Sequence, residues 1–489
     1  MYFGIQKPLH PYSGFWGSGH KPAFFIGFLV LIGYLLDGRK WYDALAGFIK
    51  ATVGYMILSV GSGGLVKTFR PILTGLKDRF QISATVIDPY FGQNAVTEGM
   101  EHLGRSFSQV MLLLLIAFIV NIVLVRLKNI TKMRAVFTTG HVQMQQAATA
   151  FWLVIFCFPK LGQTPILIIM AVLLGLYWAV GSNLTVEDTQ QLTDGAGFCI
   201  AHQQMFGIRF ACWLSDKLFK NHKENSKSID DIELPGFLSI FNENMVATAI
   251  LMTGFFGVIQ LVLGKDYLVA QEALKLEDNF FFYILESSFS FAVNLAILQL
   301  GVRTFVGELT GSFDGIQNKL LPGALPGIDC AAIFGFGSAN AVTIGFMFGA
   351  LGQFLAIAIL FLMKSPTLII AGFVPLFFDN AVLGVYSDNR GGYKAAFLIP
   401  FISGLVQVFG SAFIASYTGL GQYGGYLGMV DWATVWPAAT VIMNNLGYIG
   451  VAIVAIVFIA IPQIQYRKNK KGYFLITEDY EAYKETINK

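Results

Sequence analysis

Repeated runs of about twenty apolar residues, each long enough to cross a hydrocarbon core about 30 Å thick, constrain this 489-residue chain more than any other feature. They fall near residues 22–37, 43–61, 107–126, 139–158 and 164–183, and again near 244–263, 281–301, 343–363, 371–388, 395–416 and 447–462. Inside a bilayer no water satisfies backbone amides and carbonyls, so spanning segments are helices or strands of a closed barrel. The runs are continuous, without the two-residue alternation of barrel strands, and so predict helices. Charge is correspondingly scarce: 55% of residues are hydrophobic and 13% charged, where soluble domains carry about 25% charged. The expected fold is an all-α polytopic membrane protein with about eleven transmembrane helices. Lys50, Glu286, Pro375 and Asp379 interrupt their spans and mark places to look for function.

Other classes drop out quickly. A net charge of +3 from 33 basic and 30 acidic residues leaves no electrostatic footprint for nucleic acid. Cys157, Cys199, Cys212 and Cys330 lie far apart with no CxxC pair, which indicates neither a disulfide framework nor a zinc site. No histidine–carboxylate spacing reads as a metal site, and no cofactor is expected. The N-terminus carries no basic segment followed by a small-residue cleavage site, so no cleaved signal peptide is expected. Gly61-Ser62-Gly63-Gly64 lacks the Gly-Lys-Ser/Thr ending of a P-loop.

Basic clusters set orientation. Arg467, Lys468, Lys470 and Lys471 beside the last span place the C-terminus in the cytoplasm by the positive-inside rule. The polar stretch 215–234, near the middle of the hydrophobic region, predicts a cytoplasmic linker between two halves. An odd number of spans before and after it would turn the second half upside down. Short likenesses support such a repeat: Gly140-His141-Val142-Gln143-Met144 with Gly372-Phe373-Val374-Pro375-Leu376, and Val86-Ile87-Asp88 with Gly327-Ile328-Asp329. Inverted repeats build transporters whose substrate sits near the midplane where discontinuous helices meet. The halves are bounded at 22–214 and 235–446, followed by a last helix at 447–462 and a cytoplasmic tail at 463–489.

Polar residues in apolar surroundings are costly and tend to face a cavity or pathway. His141 and Gln145 share one helical face, and imidazole and carboxamide both donate and accept, which suits a polyhydroxylated ligand. The competing reading is a helix–helix hydrogen bond. Asp194-Gly195-Ala196-Gly197-Phe198 leads to a second cluster, His202-Gln203-Gln204. Asp329 follows Leu321-Pro322-Gly323-Ala324-Leu325-Pro326-Gly327, whose two Pro-Gly pairs predict a broken or re-entrant helix. Asp329 would accept from ligand hydroxyls, or else cap the next helix. Ser62, Tyr90, Asp379 and Asn380 are weaker candidates, and Glu243, Glu286 and Glu308 read as packed or solvated.

These motifs, together with Thr139-Gly140-His141, Gly301-Val302-Arg303-Thr304-Phe305 with Glu308-Leu309, and Ile328-Asp329-Cys330-Ala331-Ala332, resemble the ascorbate-specific membrane component, IIC, of the bacterial phosphoenolpyruvate-dependent phosphotransferase system. The resemblance runs from about residue 24 to 462 and leaves 1–21 as an N-terminal extension. It implies an inner-membrane homodimer of two inverted five-helix repeats, with a core domain that carries substrate and a V-motif domain that dimerises. L-ascorbate would cross by an elevator movement and be phosphorylated by a separate IIB partner supplied by IIA, so the chain itself would not be an enzyme. The implied substrate contacts are His141, Gln145, His202, Gln203 and Asp329, with Ser62 and Tyr90. The alternatives are an ion-coupled secondary transporter of a related organic anion using Asp329 or Glu308, and an intramembrane enzyme, for which the sequence names no nucleophile.

Overall fold

The computed structural model describes residues 22–80, 83–223, 229, 236, 240, 244–321 and 323–487. The first half runs α1 (Pro22–Leu36), α2 (Trp41–Phe80), β1 (Ser83–Ile87), α3 (Pro89–His102), α4 (Ser108–Arg126), α5 (Lys128–Thr131), β2 (Ala135–Phe137), α6 (Gly140–Cys157), α7 (Gln163–Leu192), β3 (Cys199–Ile200) and α8 (Met205–Lys223). The second runs α9 (Asn244–Leu263), α10 (Lys265–Ala270), α11 (Phe280–Leu320), β4 (Leu325–Ile328), a 3-10 turn (Cys330–Gly335), α12 (Ala339–Leu362), β5 (Thr367–Ala371), a π-turn (Pro375–Asp379), α13 (Asn380–Gly391), α14 (Tyr393–Tyr417) and β6 (Gly425–Tyr426). Then follow α15 (Val430–Ala433), α16 (Val435–Leu446), α17 (Tyr448–Lys468), α18 (Gly472–Glu478) and α19 (Tyr480–Ile487).

The apolar runs are helical as expected, and among the described residues four stretches are long and apolar enough to cross a membrane: Gln163–Leu192, Asn340–Leu362, Tyr393–Tyr417 and Val430–Lys468. Differences from the sequence reading have local causes. The run near 371–388 is helical from Phe373 onward but not uniformly so: Ala371 still belongs to the strand that Thr367, Ile369 and Ile370 favour, and the helix widens into a π-turn over Pro375–Asp379 before α13. Helix α8 continues past Ser215 to Lys223, into the segment read as linker, because its pattern is strongly amphipathic. The extension 1–21 and most of the linker lie outside the described residues.

Two small parallel sheets, absent from the sequence reading, organise the middle of the fold. Their orders are β5-β1-β6 and β2-β4-β3. Strand β1 pairs Ser83 with Thr367 through Ile87 with Ala371 on one side, and Val86 with Gly425 on the other. Strand β4 pairs Leu325 with Ala135 on one side and Gly327 with Cys199 on the other. Each sheet therefore takes its centre from one half of the chain and its edges from the other. This ladder, with Thr138 N–H and hydroxyl both donating to the Gly327 carbonyl at 3.0 and 2.7 Å, satisfies extended backbone that lipid could not.

Around the sheets the helices form two groups. Helices α1, α2, α9 and α11 pack on one another, with α2 against α11 as the most extensive contact of the chain. Tyr34 and Lys50 donate to Glu308 at 2.7 and 3.1 Å across this group, so Glu308 is a structural acceptor; Glu286 is exposed, and Glu243 lies outside the described residues. The other group holds α12, α13 and α14 against α7 and α8. There a Cβ on Gly404 would meet the Gly349 carbonyl and lie 2.8 Å from the Gln353 amide nitrogen. Neighbouring Gln353 donates to Gln407, which donates to Asp379 at 3.1 Å. The clash is with backbone, so Gly404→Val should cost about 1–3 kcal/mol through overpacking, read as a lowered melting temperature of the detergent-solubilised chain.

Candidate functional site

Parallel strands deliver whatever follows them to the same edge of a sheet. In β2-β4-β3 the residues just beyond the carboxyl ends are Thr139-Gly140-His141, Asp329, and His202-Gln203. Sequence positions more than a hundred residues apart thus meet. His141 Nε2 lies 3.3 Å and His202 Nε2 3.9 Å from the same Oδ2 of Asp329, and the two rings stand 6.4 Å apart. The other oxygen, Oδ1, accepts the Ala331 N–H at 2.9 Å and caps the 3-10 turn. Both readings of Asp329 therefore hold: one oxygen caps, while the other faces the histidines. Its side chain keeps 39% of its surface exposed while His141 and His202 are buried, so the carboxylate opens on an accessible side of the cluster.

One turn along α6, Gln145 Oε1 accepts from Gln203 Nε2 at 2.7 Å. Tyr90, brought in from the end of β1 by its place in the first turn of α3, has its buried phenol beside the Gln145 amide. Five of the seven sequence candidates thus form one cluster, and Tyr90 joins it through Gln145. Ser62 lies within α2, and its side chain is outside the described residues. Asp379 and Asn380 belong elsewhere: Asp379 accepts the Val430 N–H at 2.8 Å, and Asn380 donates to the Leu376 carbonyl at 2.9 Å across the π-turn.

The residues beside these candidates do work that single-sequence reading did not assign. Gln204 Oε1 accepts from His202 Nδ1 at 2.7 Å and from the Gln203 N–H at 3.0 Å. An amide oxygen can only accept, so Nδ1 carries a proton, and in the neutral ring the lone pair is then on Nε2, turned toward Asp329. Gln146 donates to the His202 carbonyl at 3.1 Å and is held by the Trp178 indole, which donates to it at 2.6 Å. The signal was present as the doublets Gln145-Gln146 and Gln203-Gln204, in which one amide faces the cluster and its neighbour braces it. Among the described residues His141 Nδ1, Gln203 Oε1 and Gln204 Nε2 are buried without a hydrogen-bond partner. Native interiors rarely leave such groups unmatched, and together with the N-termini of α6 and α8 they suit a small polar anion.

A polar cluster enclosed by broken helices and short strands, inside a chain otherwise built of long apolar helices, defines a membrane protein of the transporter class. The chain belongs to the family described as PTS system sugar-specific permease component (EIIC-GAT), which it matches over residues 18–434. It is 34% identical over 426 residues to the ascorbate-specific PTS system EIIC component of Mycoplasma pneumoniae (strain ATCC 29342 / M129 / Subtype 1), an alignment covering 79% of this chain. The alignment spans 64% of that relative's length.

If Gln145 and Gln203 act as a bonded pair, Gln145→Ala and Gln203→Ala should be non-additive. A double-mutant cycle in detergent denaturation should return a coupling of about 0.5–3 kcal/mol. Losses that simply sum would separate the two amides.

Proposed function

We propose that this chain is the IIC permease that binds L-ascorbate and carries it into the cytoplasm, where a separate IIB component, charged by IIA, phosphorylates it. The observation that carries this reading is the meeting of His141, His202, Asp329, Gln145 and Gln203 at the carboxyl edge of one sheet. Ascorbate is a small monoanion with several hydroxyls. The carboxylate oxygen and the His202 lone pair accept from hydroxyls, while amide donors and helix N-termini hold the enolate. The name of the Mycoplasma relative supports the same substrate. Phosphorylation adds roughly −1.5 to −2 of charge, which makes return through an apolar pathway costly and traps the product without an ion gradient.

The transport movement follows from two inverted repeats. With the short α5, α10, α15 and the single turns set aside, and the 3-10 turn at Cys330–Gly335 in the place of α3, the succession helix, long helix, strand, short helix, helix, strand, helix, helix, strand, helix is common to 22–223 and 244–446. Exchanging β1 with β4, β2 with β5 and β3 with β6 turns one sheet order into the other. In this reading α1, α2, α9 and α11 form the V-motif domain that makes a homodimer in the inner membrane. The remaining helices form a core that slides as a rigid body with the substrate, and the basic end of α17 faces the cytoplasm.

The test is uptake of labelled L-ascorbate in cells lacking their own system, with this chain expressed alone or with IIA and IIB. Phosphorylated ascorbate that accumulates only with all three supports the permease. Free ascorbate that follows the proton gradient without them replaces it with an ion-coupled transporter. In the purified chain, His202→Ala or Asp329→Asn should weaken ascorbate binding about 10- to 100-fold, the equivalent of losing one charge-assisted hydrogen bond. Dimer assembly, followed by size-exclusion chromatography, should be unchanged.

A further inference from the structure

We propose that His141, His202 and Asp329 also form an inhibitory site for a divalent transition metal, Zn²⁺ in the first instance, which competes with the sugar acid for the same lone pairs. The proposal rests on the reading of these residues as the substrate site. Their ligand atoms all lie within 4.8 Å of one another. Histidine and carboxylate bind Zn²⁺ at about 2.0–2.2 Å, so tetrahedral neighbours stand about 3.3–3.5 Å apart. The His141–Asp329 separation of 3.3 Å already meets that spacing, the His202–Asp329 separation of 3.9 Å exceeds it by a fraction of an ångström, and the two imidazoles, within 4.8 Å of each other, close on the ion by side-chain rotation.

The protonation pattern is the second, independent observation. Metal-bound histidines usually donate their remote ring N–H to an oxygen, which fixes the tautomer. Gln204 Oε1 does this for His202 at 2.7 Å, so the neutral ring has its lone pair on Nε2, facing a carboxylate oxygen. Two acceptors turned toward each other favour a positive group between them. Two imidazoles and one carboxylate, with Asp329 open on one side, give three ligands and a free position, the donor set of Zn²⁺ or Co²⁺ sites that keep an exchangeable ligand. His141 Nδ1 has no such brace among the described residues, which weakens its ligation and makes the site one that substrate can empty.

The experiment uses the full purified chain in detergent, with Co²⁺ as a visible probe. A saturable d–d band at one equivalent per chain is expected, erased by Zn²⁺ and shifted to higher Co²⁺ as ascorbate is added. Gln204→Ala should weaken Co²⁺ about 10- to 100-fold, and Asp329→Asn should abolish the band. His202→Gln, a milder change in shape, repeats the test should Asp329→Asn not fold. No band, a band indifferent to ascorbate in a chain that the thermal shift shows to bind it, or a band that survives both ligand substitutions would overturn the proposal. Ascorbate binding is followed separately by thermal shift in the presence of a chelator. Its loss there would sink the permease reading and leave the metal result standing.

Discussion

Everything near the centre of this protein depends on one constraint: extended backbone enclosed by apolar helices must find its hydrogen bonds within the protein. The chain meets it by lending strands. Neither β1 nor β4 is flanked by strands of its own half, so the two halves cannot satisfy their backbones apart. The glycines follow from the same crowding, as at Gly327, where a Cβ would lie 2.8 Å from the Val136 carbonyl oxygen. Glycine here is a condition of sheet formation.

The strand arrangement also explains the chemistry. Helices alone present side chains around a cylinder, and bringing two imidazoles to one carboxylate would need three helices at fixed rotation. Three parallel strands do it by register, since Gly327 of β4 pairs with both Phe137 and Cys199. The histidines and the aspartate then follow within a few residues of that row. Gln146, Gln204 and Trp178 complete the arrangement by fixing ring orientation and backbone position. Open α/β sheets likewise gather ligands beyond the carboxyl ends of their strands.

Much of this was legible beforehand, for identifiable reasons. Long apolar runs such as those of α4, α7 and α12 announce themselves by length, and His141, His202 and Asp329 stood out because polar groups are expensive among such runs. Strands of two to five residues leave no periodicity to read. Helix α3 is too short and too mixed in polarity to register as a span, and the π-turn before α13 is hidden inside the apolar run near 371–388. A metal-like grouping was invisible because its members are separated by β3, α7 and more, and spacing along the chain carries no information about strand register.

The two sheets are not equal in what they leave open. Asp88 stands at the end of the central strand of its sheet as Asp329 does in the other, and both accept an amide two residues on, at 3.0 and 2.9 Å. The remaining oxygen of Asp88 takes the Val374 N–H at 3.4 Å, and where the second sheet has His141, the segment after β5 carries the buried Phe373. One carboxylate is closed by backbone and the other faces imidazoles. If the proposed site is the binding site, the stoichiometry is one anion per polypeptide, and any cooperativity in filling must arise between separate chains.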